Sequence, residues 1–178
     1  TSVWLTWDTN ALYIAFLCVD SNVVATYTNH DDDVWREDVC EVLIDSVGDG
    51  QQYIQVDVGP LGGTFDRLFA ILDDGKSPDG SPGPGERRPW GVQEWDVEGL
   101  QAGAAILGQA GAPYGWTAEL AIPAAVLMRP EGVAALAPTV MRANFLRHDY
   151  ASFTNGQDTV TPHNWVPAPA GLAYLSPG

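Results

Sequence analysis

Hydrophobic and polar residues alternate along most of this chain with a period of two, the spacing of strands with one buried face. Residues 3–7 (V-W-L-T-W) alternate, Asp8-Thr9-Asn10 turns, and residues 12–19 alternate again, which predicts a hairpin. Asp20-Ser21-Asn22 closes it, and residues 23–28 read as a further short extended run. Runs at 40–45, 52–58 and 64–72, separated by Gly-, Asp- and Pro-bearing turns, predict a three-stranded meander. Residues 73–89 (D-D-G-K-S-P-D-G-S-P-G-P-G-E-R-R-P) hold no regular pattern and predict a surface loop. Weak strand signals at 95–97 and 102–107 precede a strong one at 115–122. Pro123 opens a short helix over 124–128, because proline suits a first helical turn. A last strong strand covers 139–147, and the remainder is a Thr-, Pro-, Asn- and Gly-rich tail. No repeat period is visible. About ten strands and one short helix predict an all-β antiparallel sandwich, immunoglobulin-like or jelly-roll-like, in a single domain over 1–178.

One stretch departs from a bland surface strand. In D-D-D-V-W-R-E-D-V-C-E-V-L-I-D (31–45) an acidic loop carrying Trp35 runs straight into a strand. Alternation puts Cys40, Val42 and Ile44 on the core face and Glu41, Leu43 and Asp45 on the other. That outer face carries carboxylates where Thr, Ser or Lys would be ordinary.

Composition narrows the partners. The chain has 178 residues, a hydrophobic content of 46% and a formal net charge of −15, enough apolar material for one sizeable core. Such a negative field repels phosphate backbones and anionic lipid, so no nucleic-acid partner and no membrane insertion are expected, and no apolar run is long enough to cross a bilayer. Neutral polar ligands and cations remain compatible. The two cysteines, Cys18 and Cys40, both lie in strand-like runs. They either pair across neighbouring strands in an oxidising compartment or stand as buried thiols.

Catalytic chemistry finds little support. Glu41 and Asp45 share a face but sit four residues apart, roughly 13 Å at strand rise, too far for a glycosidase pair. Glu41 with Asp57 on a neighbouring strand stays open. No serine or cysteine sits in a nucleophile elbow, and no zinc spacing involves His30, His148 or His163. Haem ligation by Met128 or Met141 with His148 or His163 is an alternative on paper. Calcium has better candidates in Asp45 and Asp49, which stand like half an EF-hand loop, and in Asp31 of the acidic run, with Asp20, Asp32 and Asp33 nearby in kind. The aromatic pattern points to sugar. Trp35 and Trp165 stand in irregular segments beside carboxylate and amide groups, where a flat ring can stack on a pyranose while Glu41 accepts hydroxyl protons. Trp4, Trp7 and Trp116 alternate within strands and read as core or surface cover.

The segment W-R-E-D-V-C-E-V-L-I-D-S-V-G-D-G-Q-Q-Y-I-Q-V, preceded by its Asp run, resembles the core signature of the family 9 carbohydrate-binding modules. W-T-A-E-L-A-I-P (116–123), M-R-A-N-F-L-R (141–147) and N-W-V-P (164–167) continue the resemblance in family order. It implies that Trp35 and Trp165 form two walls of an aromatic clamp around a terminal sugar, with Glu41 accepting hydroxyls and Asn164 as the amide beside Trp165. Gln55 falls near a position where family members can carry Arg, so a neutral amide replaces a charged donor there. Calcium bound structurally is a further implication. The expectation is therefore a non-catalytic, extracellular or surface-exposed module that binds a poly- or oligosaccharide, with attached catalytic or surface domains as possible companions. The competing expectation is a structural or interaction sandwich, such as a fibre subunit, whose open sheet edge accepts a strand from a neighbour.

Overall fold

In a computed structural model the described residues are 1–46, 48, 50–72, 88–92, 95–127, 141–150 and 163–164, with side chains described outside 71, 72, 88–90, 163 and 164. They form two antiparallel sheets packed face to face. The hairpin is β1 (Ser2–Trp7) and β2 (Ala11–Val19). The meander is β3 (Val39–Asp45), β4 (Gln52–Val58) and β5 (Thr64–Leu72). β6 (Arg88–Gly91), β7 (Gln101–Gln109), β8 (Ala112–Pro123), helix α1 (Ala124–Leu127), β9 (Arg142–His148) and β10 (His163–Asn164) complete the order. One sheet runs β1-β2-β8-β7, and the other β10-β9-β3-β4-β5-β6.

The sandwich expected from alternation is the observed fold. Its inner faces interdigitate in one core: Ile14, Phe16 and Cys18 of β2 and Trp116, Ala118, Leu120 and Ile122 of β8 meet Cys40, Val42 and Ile44 of β3, Ile54, Val56 and Val58 of β4, and Phe145 of β9. Gly115 is required by that closeness, since a Cβ there would lie 2.2 Å from the Cys18 carbonyl oxygen on β2.

Three local expectations change. Residues 95–97 are not a strand; Val97 instead donates its N–H to the buried Asp66 carboxylate and tucks into the core. The 73–89 loop ends sooner than expected, because residues 88–91 pair with β5 as an edge strand, a place where the missing N–H of Pro89 is tolerated. Residues 23–28 form no strand; the amides of Val24, Thr26, Tyr27 and Thr28 go to side-chain carboxylates. Residue 128 of the expected helix lies outside the described residues, as does most of the tail.

Candidate functional site

The six-stranded sheet has an outer face that is polar in composition yet largely shut away from solvent. Cross-strand register assembles it in rows. Leu146, Glu41, Asp57 and Phe65 stand side by side on β9, β3, β4 and β5, and Asn144, Leu43, Gln55 and Arg67 form the next row. Tyr53, Phe69 and Gly91 follow on β4, β5 and β6. All seven residues of β3 are buried, so Glu41 and Asp45 do not stand on an open surface as their alternation predicts. The reason is the company they keep: Leu43, Tyr53, Leu146 and Phe69 make a second apolar cluster on this side. Tyr53 and Phe69 stack at 5.0 Å with an 8° interplanar angle.

Trp35 stands at one end of this face. The short 3₁₀ turn Val34–Arg36 is anchored by Val34, which packs with Val39, Phe65 and Tyr27. Tyr150 donates its hydroxyl to the Trp35 carbonyl at 2.5 Å. The acidic residues around Trp35 hold the loop in shape. Glu37 accepts from the Thr26 amide and hydroxyl and from the Tyr27 amide, and Asp38 accepts from the amides of Val24 and Tyr150, each at 2.7 Å. Asp32 takes the amides of Thr28 and Asn29. With its loop pinned, Trp35 stays 37% exposed and its ring meets Phe65 edge to face at 4.6 Å. The Arg67 guanidinium carbon lies 4.8 Å from the centroid of the same Phe65 ring.

Four buried polar atoms on this face have no hydrogen-bond partner among the described residues: Glu41 Oε1, Tyr53 Oη, Arg67 Nε and Asn144 Nδ2. A buried polar group without a partner costs about 1–3 kcal/mol, so this face carries a concentrated, uncompensated cost. Glu41 is half used, since its Oε2 lies 2.9 Å from His148 Nε2. Asp57, directly opposite on β4, is fully buried and receives the Gln55 amide on both oxygens at 2.9 and 3.2 Å. Burial first, and then the neighbouring Glu41 carboxylate, push Asp57 well above the ordinary carboxylate range and favour its neutral acid. Burial likewise raises the Tyr53 hydroxyl, with Glu41 adding to it, so this phenol keeps its proton.

Of the residues predicted from sequence, Trp35, Glu41 and Gln55 come together on or beside this face. Gln55, however, spends its amide on Asp57. The charged donor absent at position 55 stands directly across from it as Arg67 on β5. The sequence motifs give no role to Arg67, which stands outside them, or to Asn144, which lies within M-R-A-N-F-L-R; the available signal for Arg67 was the F-D-R-L-F alternation, which sets it between two aromatic residues on one face. Asn164 pairs in register with Leu146 at the sheet edge, and its side chain, like Trp165 and Asp49, lies outside the described residues. His148, a haem candidate on paper, is engaged with Glu41, and Met141 packs against the core.

The calcium candidates separate. Asp45 closes the β3–β4 turn by accepting the amides of Gly48 and Gly50 at 2.7 and 2.8 Å. Asp31, with φ at 62°, groups instead with His30 and Asp66. Asp66 is 1% exposed, and its Oδ1 has no hydrogen-bond partner among the described residues and lies 3.4 Å from His30 Nδ1. Two carboxylates suit a hard cation, whereas an imidazole is a poor calcium donor. A second acidic group, Asp20, Asp38 and Asp149, surrounds the buried Arg147, which pairs with Asp20 at 2.5 Å and Asp149 at 3.1 Å. That guanidinium supplies the positive charge a metal would otherwise bring.

No protein-family model matches the sequence, and no curated protein matches it as a relative. Among solved structures the fold is similar to that of a "putative carbohydrate-binding protein" from Bacteroides uniformis ATCC 8492, at 13% sequence identity and a TM-score of 0.61. The similarity covers 92% of this chain and 68% of the other. At that identity the shared property is the β-sandwich.

Proposed function

We propose that the chain is a non-catalytic carbohydrate-binding module, which takes a neutral sugar on the outer face of the six-stranded sheet, entering from the exposed Trp35–His148 end. The observation that carries the proposal is the set of four unpartnered polar atoms beside an exposed tryptophan. Sugar hydroxyls both donate and accept, so an oligosaccharide lying across the strands can give a proton to Glu41 Oε1 and receive from Arg67 Nε and Asn144 Nδ2. Trp35 offers the apolar face on which a pyranose stacks. The name of the structural neighbour and the resemblance to family 9 modules support the same ligand class. Trp165 and Asn164 are proposed as the opposite wall.

The buried, Gln55-bonded Asp57 is the reason for reading the site as non-catalytic. Hydrolysis needs two carboxylates placed on opposite sides of the scissile bond, whereas Asp57 stands directly opposite Glu41 in register with both oxygens taken by the Gln55 amide. The ligand is then a poly- or oligosaccharide, the setting extracellular or cell-surface, and the benefit a higher local concentration of attached domains on the substrate. Calcium is proposed as a structural ion with Asp31 and Asp66 as its carboxylates, Asp66 Oδ1 being the support. Metal analysis after equilibration with calcium tests that ion: stoichiometric calcium that falls in Asp31→Asn supports it, and none contradicts it.

One observation favours the structural-module alternative. β1 is an edge strand among the described residues, and Trp4 and Trp7 on it are 55% and 65% exposed. A glycan-array screen, with and without a chelator, separates the two. Saturable hits on neutral glycans support the binding module. A blank array with concentration-dependent assembly in light scattering supports the alternative.

A further inference from the structure

Cys18 lies on β2 of the four-stranded sheet and Cys40 on β3 of the six-stranded sheet, so the two cysteines face each other across the sandwich, not along one sheet as neighbouring strands. Both are fully buried free thiols, and their sulfurs are 3.4 Å apart. Each is held by the register of its strand: Cys18 stands opposite Trp116 on β8, and Cys40 stands between Val58 on β4 and Arg147 on β9. A disulfide needs the sulfurs to close to about 2.05 Å. The approach is already made, because the thiols point at one another from fixed strands.

We propose that Cys18 and Cys40 form an intersheet disulfide when the chain folds in an oxidising environment, and that this bond ties the two sheets together through the centre of the core. Either cysteine can begin, because the reagent meets both before the sheets bury them; starting from Cys18, the exchange runs in two steps. The Cys18 thiolate attacks one sulfur of a low-molecular-weight disulfide, RS–SR, forming a mixed disulfide as the S–S bond breaks and RS⁻ leaves. The Cys40 thiolate then attacks Cys18 Sγ, forming the protein disulfide and expelling the second RS⁻. The two thiol protons end on the two released RSH, and the two electrons reduce the small disulfide. With both sulfurs at 0% exposure, the reagent reaches them before the sheets have closed, so oxidation accompanies folding and the folded reduced protein is slow to react.

The test refolds the full chain from reductant and denaturant, either in a mixture of reduced and oxidised glutathione or in dithiothreitol, with circular dichroism confirming the same fold in both. The glutathione sample is expected to show no titratable thiol in denaturant, a mass lower by two hydrogens, and a linked peptide pair carrying Cys18 and Cys40. Its Tm should exceed that of the reduced sample by roughly 5–10 °C, the constraint expected for a loop of this length in a domain of this size. Two free thiols after glutathione refolding, a retained glutathione adduct, or an intermolecular dimer in place of the linked pair would each overturn the proposal.

Discussion

Glu41 Oε2 sits 2.9 Å from His148 Nε2 across β3 and β9, while the buried Oε1 of the same carboxylate has no hydrogen-bond partner among the described residues. One oxygen fixes the side chain and the other is left to accept. Glu41→Gln keeps the size but removes the charged acceptor. Binding of an array-selected neutral oligosaccharide should weaken by roughly 10- to 100-fold, the worth of one charge-assisted hydrogen bond. Isothermal titration calorimetry checks this, and an unchanged affinity removes Glu41 from the site.

Trp35 carries the stacking surface, and its loop is pinned independently of its ring by Glu37, Asp38 and Tyr150. Trp35→Ala should therefore cost roughly 30-fold or more in affinity. The loss of its contact with Phe65 should cost only about 0.5–1.5 kcal/mol of stability beyond the lost burial. Titration and thermal melts on the same sample separate the two effects. A large stability loss with intact affinity would show that Trp35 is scaffold alone.

Gly91 bears on Arg67. A Cβ at position 91 would lie 2.7 Å from Arg67 Cδ and 3.3 Å from Phe69 Cε1. Gly91→Ala should displace Arg67 from the Phe65 ring, lower stability by about 1–3 kcal/mol through overpacking, and weaken glycan binding. The check is a comparison with Arg67→Met: adding Gly91→Ala to that variant should produce little further loss of affinity.

Asp38 links loop shape to pH. Burial, and then the neighbouring Asp20 carboxylate, push it up to about 7 from an ordinary 3.8. A raised acid binds its proton in the folded state over a window where the unfolded chain has lost it. Its contribution is therefore complete below about pH 4 and falls away as pH rises through about 7. The Tm advantage of wild type over Asp38→Asn should be larger near pH 5 than near pH 8. A difference independent of pH contradicts the assignment.

Strand positions and the division of β3 into a core face and an outer face were legible because alternation is a local property of the sequence. Which residues meet on the outer face was not. Arg67 reaches Gln55, and Asn144 reaches Leu43, only through strand register, which depends on turns and packing far away in sequence. The acidic run around Trp35 offers calcium candidates in Asp31, Asp32 and Asp33, whereas its Glu37 and Asp38 bind amides 10–14 and 112 residues away, contacts that no local pattern records. The buried state of Glu41 escaped for a similar reason: the aromatic residues that share its face come from β4 and β5.

The most direct test follows the side-chain N–H signals of the seven tryptophans and of Arg67 by NMR while a glycan selected on the array is added. Binding at the proposed face predicts that the Trp35 indole and Arg67 Nε–H signals move saturably with one dissociation constant, while those of Trp4 and Trp7 on the opposite sheet stay in place. Saturable movement of Trp4 and Trp7 with Trp35 and Arg67 unmoved would contradict it and transfer binding to the other face of the sandwich.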